Sequence, residues 1–320
     1  MKAIVADAYG PTEVLELRDV DIPTPGDGQV LIRVVAAGVH AGDWHLMAGL
    51  PYVARLAVGL RAPKNPPGME VAGTVEAVGP NVTNFAPGDE VCGIGVGAFA
   101  EYCLAPINKL VHKPTRLTFQ QAAALPISGI TALQGLRDSG HVAAGQHVLV
   151  IGAAGGVGTF AVQLAKSFGA TVTGVCSTSK MDLVRSLGAD DVIDYTRADI
   201  ADHSYDVILD CAGHRSLSAL RRAATERGTI VIVGSETNGR LLGGTDRALR
   251  ALLLSPFVRQ TLRGLISGER LEDLETLRDL AEQGVITPVI DRTFPLVDVP
   301  QAIDYQHAGK ARGKVVITVS

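Results

Sequence analysis

The segment from Gly38 to Tyr52 is unusually rich in polar and aromatic side chains for a chain in which only 4% of the residues are aromatic. It contains His40, Asp43, Trp44 (the only tryptophan), His45 and Tyr52. A histidine can donate a hydrogen bond to a developing oxyanion or relay a proton near neutral pH, and a carboxylate can orient it. We therefore predict His40 and Asp43 as catalytic groups, with Tyr52 as a pocket residue.

Each of these side chains also has a structural interpretation. Asp43 could cap a helical turn that begins near Trp44, because aspartate is a favoured N-cap residue. His45 could be a surface or packing residue, and Tyr52 could serve packing alone. The sequence leaves both interpretations open.

A second group of residues is a run of glycines between a predicted strand, His147–Ile151, and a predicted helix that continues to Phe168. The small residues let the backbone turn tightly and approach a diphosphate, which meets the free N–H groups of the helix N-terminus. A further strand follows at Thr171–Cys176, which is the context that this motif requires. We predict a dinucleotide site that includes Gly152, Gly155, Gly156, Val157 and Gly158.

The residues after the second strand bear on which dinucleotide is bound. A site for NAD has a carboxylate at this position for the ribose 2′-hydroxyl, but here no carboxylate precedes Asp182. Hydroxyl groups and a lysine suit a 2′-phosphate, so we expect NADPH in preference to NADH, with Ser177 and Lys180 as ligands. Ser177 and Ser179 could equally be helix caps, and Lys180 could simply be solvated.

The elements that must position these groups form three successive regions. Residues 1–115 contain short alternating strands such as Gln29–Ala37 and Val71–Val78, separated by Gly and Pro turns, which indicates an irregular β-barrel or sandwich. From about residue 120, apolar strands such as Thr229–Gly234 alternate with helical stretches such as Lys180–Leu187, which is typical of a parallel sheet covered on both faces. The last region has a charged helix, Leu271–Gln283, and a closing strand, Lys314–Val319, which resembles the first region again.

Composition narrows the function classes. The formal net charge of −4 gives no reason to expect nucleic acid as a partner, and no apolar run reaches the length that spans a bilayer. The amino terminus lacks the pattern of a signal peptide, and none of the four cysteines forms a C-x-x-C pair. We expect a cytoplasmic protein with reduced thiols, a small-molecule substrate, and no membrane partner.

Several segments in order along the chain resemble medium-chain dehydrogenases/reductases, most closely the zinc-independent quinone oxidoreductase branch. They are AAGVHAGDWHLMAG at 36–49, PPGMEVAGTVEAVG at 66–79, PGDEVCG at 87–93, GAFAEY at 97–102, AALPISGITALQGL at 123–136, IGAAGGVGTFAVQLAK at 151–166 and RGKVVI at 312–317. The resemblance implies an α/β fold with a GroES-like irregular β-barrel catalytic domain (1–122 and 267–320) and an inserted Rossmann doubly wound parallel sheet domain (123–266).

The resemblance also bears on whether the chain binds zinc. The zinc-dependent branch has Cys, His and a further Cys or Asp around the metal, where this chain has His40, Met69 and the stretch Leu125–Ser128. The cysteine-rich lobe for a structural zinc is missing as well. A catalytic zinc needs three protein ligands, so we expect a metal-free enzyme. His40, His45 and Glu70 remain an alternative cluster of ligands.

In the resembling family, the loop that carries His40 faces the nicotinamide. The resemblance also implies that Thr131, Tyr195, Val233, Gly234 and Lys314 are candidate cofactor contacts. Without zinc, the easier reaction sends hydride from NADPH to a quinone, an enone or another activated carbonyl. An alcohol/aldehyde dehydrogenase, an enoyl-thioester reductase and a non-catalytic dinucleotide-binding protein are the alternatives. We also expect a homodimer, since the last Rossmann strand commonly pairs with a second subunit in this family.

Overall fold

A computed structural model describes residues 1–200, 204–234 and 245–319 of the chain. The chain forms two compact units, Met1–Ile130 with Glu269–Ser320, and Thr131–Gly268. The domain boundaries predicted above, after residues 122 and 266, differ from these limits by eight and two residues and stay a prediction. No helix in the described ranges is long and apolar enough to span a membrane.

The strands alternate with helices only in the second unit. The strands are β1 (Lys2–Val5), β2 (Glu16–Asp19), β3 (Gln29–Val39), β4 (Glu70–Val78), β5 (Glu90–Ile94), β6 (Tyr102–Pro106), β7 (Leu110–His112), β8 (His147–Ile151), β9 (Thr171–Cys176), β10 (Asp191–Asp194), β11 (Tyr205–Asp210), β12 (Ala224–Ile232), β13 (Thr261–Gly264), β14 (Ile290–Pro295) and β15 (Lys314–Thr318). The helices are α1 (Ala41–Ala48), α2 (Arg55–Val58), α3 (Phe119–Ala123), α4 (Pro126–Gln134), α5 (Gly156–Ser167), α6 (Met181–Ser186), α7 (Leu217–Ala223), α8 (Thr245–Leu254), α9 (Leu271–Glu282) and α10 (Val299–His307).

The first unit is built on a seven-stranded sheet in which the long strand β3 is central. Along the sheet the order is β14-β15-β3-β4-β5-β7, and β6 also pairs with β3. The strands are antiparallel except for the pair β14 and β15. The closing strand β15 therefore packs directly onto β3, and the end of the chain returns to the N-terminal sheet as the sequence predicts. The GroES-like fold of this unit is confirmed.

The second unit has a six-stranded, all-parallel sheet with the order β10-β9-β8-β11-β12-β13. Counted within the unit, this order is 3-2-1-4-5-6, the arrangement of a Rossmann dinucleotide-binding fold. The strands are nearly continuous apolar runs because helices cover both faces of such a sheet. Strand β8 and strand β11 are neighbours at the point where the strand order reverses. The predicted Rossmann domain is confirmed.

Most boundaries predicted from the sequence agree with the structure to within one or two residues, and two regions differ. Strand β12 begins at Ala224, five residues before the predicted strand at Thr229, because its first part pairs with the start of β11. The helix predicted from Lys180 begins instead as a 3-10 turn, Thr178–Lys180, before α6.

The helix that follows the glycine run contributes a fully buried aromatic side chain, Phe160, to the packing of the second unit. We expect Phe160→Ala to lower the free energy of unfolding by about 3–5 kcal/mol, through lost burial and the cavity that remains. Phe257 in the same unit is 83% exposed, so Phe257→Ala is a matched control that should change stability by less than about 0.5 kcal/mol. Urea unfolding followed by circular dichroism measures both, and equal effects would contradict this packing.

Candidate functional site

The glycine turn between β8 and α5 has the geometry of a diphosphate cradle. Gly152 has a φ of 80°, which favours glycine, and a Cβ at Gly158 would lie 2.1 Å from the carbonyl oxygen of Gly152. No side chain other than hydrogen fits at Gly158, so the helix can begin directly against the turn. The N-cap residue Gly155 offers no side chain to the first helical N–H groups. These N–H groups are therefore available to an anion, and the residues fit a dinucleotide diphosphate.

Two further predicted contacts lie at the carboxyl edge of β12, just past its end. The N–H groups of Val233 and Gly234 both donate to the carbonyl oxygen of Asp210, at 3.0 Å. Their amide hydrogens are thus used within the protein, and only carbonyl groups remain as partners for a ligand. Thr131 lies in α4, where its hydroxyl donates to the hydroxyl of Ser267 at 3.3 Å.

The corner that would take the adenosine end contains the predicted residues Ser177, Lys180 and Tyr195. Tyr195 follows β10 and is 57% exposed, and its N–H donates to the carbonyl oxygen of Cys176 at 3.2 Å. Ser177 and Lys180 are half-buried and lie at the two ends of the turn that follows β9. Ser177 makes no side-chain cap bond there. The structure therefore places these three residues on neighbouring strand ends, because β9 and β10 are adjacent.

A carboxylate that the sequence did not reveal lies beside this corner. Asp194 ends β10, opposite Cys176 at the end of β9. Its carboxylate accepts hydrogen bonds from the hydroxyl of Thr178 and from the N–H and hydroxyl of Thr196. The bonds from Thr178 and Thr196 lower the pKa of Asp194. Asp194 thus stays ionised and holds the turn that carries Ser177 and Lys180.

In the first unit, His40 and Asp43 form a capping box at the start of α1. The N–H of Asp43 donates to Nδ1 of His40 at 3.2 Å, and the N–H of His40 donates to Oδ2 of Asp43 at 2.8 Å. Asp43 therefore takes part in capping, but as the third residue of a helix that begins at Ala41 and not as the N-cap of a turn that begins near Trp44; the same contact orients His40. Since Nδ1 accepts a hydrogen bond, the proton of the neutral ring is assigned to Nε2.

Both side chains are buried, and this determines their protonation. Burial lowers the pKa of His40 to about 4, with the charge of Lys314 acting in the same direction and Glu70 opposing it. Burial raises the pKa of Asp43 to about 7, against the hydrogen bond from the His40 backbone. Within the described ranges, neither Nε2 of His40 nor Oδ1 of Asp43 has a hydrogen-bond partner. A buried donor without a partner is costly, so Nε2–H is a position at which a ligand acceptor would be stabilised.

Beside His40 lies a buried ion pair that joins three separate segments. Nζ of Lys314 donates to Oε2 of Glu70 at 2.5 Å and to the hydroxyl of Ser128 at 3.2 Å. The other carboxylate oxygen of Glu70 accepts from the N–H of Ile127 at 2.9 Å. Lys314 was predicted as a cofactor contact, and the structure places its ammonium group in this ion pair.

The remaining side chains of the 38–52 segment are spread more widely. Trp44 stacks on His307, with ring centroids 4.0 Å apart, so α1 packs against α10. His45 is exposed, and its Nδ1 lies 3.0 Å from the carbonyl oxygen of Leu50. Tyr52 is 41% exposed, and the guanidinium group of Arg55 lies over its ring at 4.8 Å. Of the predicted catalytic and pocket residues, the structure therefore brings His40 and Asp43 into contact and places Tyr52 elsewhere.

The donor set does not fit a zinc ion. Among the described residues, no three His, Cys, Asp or Glu side chains are grouped as a metal site requires. His45 points to a backbone carbonyl, and the carboxylate of Glu70 is already occupied by an ammonium group and an amide. The alternative cluster of His40, His45 and Glu70 is therefore not formed.

Two buried ion pairs were missed by sequence reasoning. Glu70 and Lys314 are single charges at the start of apolar strands, β4 and β15, and a charge in that position predicts a buried partner. The second pair joins Asp210, at the end of β11, to Arg247 of α8. The segment 238–268 contains five arginines, at positions 240, 247, 250, 259 and 263, of which Arg240 lies outside the described residues.

Comparison with known proteins agrees with both halves of the fold. Residues 26–115 match the family described as alcohol dehydrogenase GroES-like domain, and residues 187–317 match the family described as zinc-binding dehydrogenase. The chloroplastic quinone-oxidoreductase QR1 of Triphysaria versicolor is 34% identical, over 99% of this chain and 98% of its own length.

Solved structures are similar over the whole chain. The quinone oxidoreductase from Coxiella burnetii is 31% identical with a TM-score of 0.84, covering 100% of this chain and 99% of its own. A mycobacterial protein solved in complex with NADPH is 28% identical, also with a TM-score of 0.84, and covers 99% of this chain and 100% of its own.

The lowered pKa of His40 predicts a pH-dependent stability. Between about pH 6.5 and 4, the unfolded chain binds a proton at His40 that the folded chain does not, so the free energy of unfolding falls as the pH falls. His40→Asn keeps a cap for Asp43 without titrating. Over that range, the free energy of unfolding of the wild type should therefore fall by about 3 kcal/mol more than that of this variant, as measured by urea unfolding. The groups that face His40, namely Asp43, Glu70, Glu269 and Lys314, are the same in both proteins. Parallel pH curves for the two proteins would show that the histidine is not buried in this way.

Proposed function

We propose that this chain, which belongs to the quinone oxidoreductase-like branch of the medium-chain dehydrogenase/reductase superfamily, uses NADPH to reduce quinones, enones or similar activated carbonyls without zinc. The chain is an NAD(P)H-dependent oxidoreductase. The proposed cofactor, acceptor and metal independence rest on the residues of the candidate site, and above all on one observation.

That observation is the neutral His40 ring with its unpartnered Nε2–H. When bound, the dinucleotide would supply a hydride to the carbon of a conjugated acceptor, and negative charge would then develop on the acceptor's oxygen. Nε2–H of His40 would donate a hydrogen bond to that oxygen, in a buried position where such a bond is strong. Asp43 acts as a positioning residue, because its N–H and carboxylate hold the ring and the backbone of His40. Tyr52 would line the acceptor's path.

The preference for NADPH is supported by the turn after β9. Lys180 and Ser177 lie at its ends, and the nearby carboxylate of Asp194 is engaged by Thr178 and Thr196 instead of facing a ribose unopposed. An ammonium group and a hydroxyl suit a 2′-phosphate better than a 2′-hydroxyl. The mycobacterial relative solved with NADPH supports the same choice. Thr131, Val233 and Gly234 would contact the remainder of the dinucleotide.

The charged groups close to His40 support a reaction that needs no metal. The carboxylate of Glu70 already binds the ammonium group of Lys314, which supplies positive charge where a metal would otherwise do so. A quinone or enone is electrophilic without a Lewis acid, and hydrogen bonds suffice for the charge that it acquires.

We also propose that the protein is a homodimer in a reducing compartment such as the cytoplasm. Among the described strands, β13 pairs only with β12 and leaves an open edge, which favours pairing with a second copy. Leu252 and Leu253 of α8 are exposed in the same unit. All four cysteines are free, and burial raises the pKa of Cys92 and Cys103 to about 12, as expected of unreactive reduced thiols.

The proposed reaction can be tested with purified protein, NADPH and a panel of quinones, enones and saturated aldehydes. Oxidation of NADPH, followed by its absorbance, should be fastest with the conjugated acceptors, because they can place the incoming charge on oxygen. Prior treatment with a strong chelator should leave the rate unchanged. Activity that chelation abolishes and zinc restores would contradict metal independence, and an absence of turnover with the whole panel would contradict the proposed function.

The choice of dinucleotide can be tested separately at Lys180. Lys180→Ala should raise the KM for NADPH by roughly tenfold to a hundredfold and leave the KM for NADH nearly unchanged, since only the 2′-phosphate loses a charged hydrogen bond. Lys166→Ala is the matched control, because Lys166 pairs with Asp190, which precedes β10 at the opposite end of the sheet. An equal change for both dinucleotides would show that Lys180 does not read the phosphate.

A further inference from the structure

The lowered pKa of His40 means that this ring does not supply the proton of the proposed reaction. Hydride addition to a quinone or enone must be completed by a proton, and a ring that stays neutral down to about pH 4 binds the oxygen but has no excess proton to give at neutral pH. Asp43 positions His40 through Oδ2, and burial raises the pKa of its carboxyl group to about 7. A second buried group close to His40 also carries transferable hydrogens.

Lys314 and Ser128 form such a group. Lys314 is 2% exposed and Ser128 is 4% exposed, and the ammonium group donates a hydrogen bond to the hydroxyl oxygen at 3.2 Å. The ammonium group has three hydrogens, of which Glu70 and Ser128 accept two. The hydroxyl hydrogen of Ser128 has no acceptor among the described residues. The two side chains thus form a chain of donors that ends on a free O–H.

The protein accommodates this arrangement at a specific position in the sheet. Lys314 on β15 and Glu70 on β4 are separated by β3, and Gly38 of β3 lies opposite Val316 on one side and Glu70 on the other. A Cβ at Gly38 would lie 2.4 Å from Oε2 of Glu70 and 2.5 Å from the carbonyl oxygen of Ala123. Only glycine leaves room for the carboxylate of Glu70 against the middle strand. A buried ion pair of this kind contributes little net stability, and the one here places an ammonium group and a hydroxyl inside the protein.

The register brings the pair next to His40. Val39 lies opposite Val315, so the residues that follow and precede them, His40 and Lys314, are neighbours at the end of the sheet. A hydrogen-bond donor for the acceptor's oxygen and a proton source therefore lie side by side.

We propose that Ser128 and Lys314 deliver the proton that completes reduction of the acceptor. This rests on the proposed function, which supplies the hydride. Hydride forms a C–H bond to the acceptor, and the displaced electron pair moves to its oxygen. That oxygen takes the hydroxyl proton of Ser128, whose oxygen takes a proton from Nζ of Lys314. Lys314 is left as a neutral amine and regains a proton from water after the product leaves, so each turnover consumes one hydride and one proton.

Ser128→Ala tests the route with the smallest change. We expect kcat with the best quinone to fall about a hundredfold, the lower end of what proton donation contributes. Proton transfer should then limit the rate, so the solvent deuterium isotope effect should rise and the effect of deuterium at the transferred position of NADPH should fall. Binding of NADPH, followed by its fluorescence, should not change. Ser128→Thr keeps the hydroxyl and should retain most of the wild-type rate.

A second variant keeps the test valid if Lys314 alone cannot be replaced without unfolding. Lys314→Met combined with Glu70→Gln removes the proton source and leaves no unpaired buried charge. It should lose activity to the same extent as Ser128→Ala, and adding Ser128→Ala to it should cause no further loss, because the residues act in one path.

The measured results distinguish a failure of the proton route from a failure of the proposed function. An active wild type in which Ser128→Ala changes neither kcat nor the two isotope effects would overturn the proton route and leave the proposed function intact. A wild type that turns over no acceptor in the panel would overturn the proposed function, and the proton route with it.

Discussion

The ion pair between Lys314 and Glu70 is the interaction on which the organisation of the first unit depends. It joins residues 244 positions apart in the sequence, and so ties the closing strand to the N-terminal sheet. Removing water from both charges costs several kcal/mol for each ion, and the loss of one partner from such a pair typically costs about 3–5 kcal/mol. The surrounding chain keeps the pair complete. Gly38 leaves room for the carboxylate of Glu70, Ile127 donates its N–H to that carboxylate, and the hydroxyl of Ser128 accepts a hydrogen bond from Lys314.

The same pair explains the electrostatics of His40. A buried imidazole beside a carboxylate alone would be drawn toward its charged form, and the capping box would then lose the acceptor at Nδ1. The ammonium group offsets the carboxylate, and burial keeps the ring neutral. A fixed protein cation thus performs two tasks that a metal would perform in a related active site: it neutralises the acidic side chain and provides positive potential close to the reacting atoms. The cation is covalently part of the chain, so it also requires no ligand set.

The fold could be predicted from the sequence almost completely, and the site only in part. The strand, glycine turn and helix around residues 147–168 form a local motif, and its periodicity alone indicates β8, α5 and β9. The capping box of His40 and Asp43 is equally local. The sequence leaves open whether Asp43 caps a helix or orients His40, and in the structure it does both. The partners of Lys314 come from two distant segments, and the position of Asp194 follows from parallel strand register, which no local spacing encodes.

Two glycines show why one half of the site is visible in the sequence and the other is hidden. Gly158 allows α5 to approach the carbonyl of Gly152, and Gly38 leaves room for the carboxylate of Glu70. The physical constraint is the same, because in each case a methyl group would occupy the space of an oxygen atom. Gly158 stands among other glycines whose common purpose is to bind a diphosphate, so its neighbours identify it. Gly38 stands alone in an apolar strand, and its purpose appears only when two other strands are placed beside it. Chemistry that depends on the backbone can be read from one segment, whereas chemistry that depends on converging side chains requires the whole sheet.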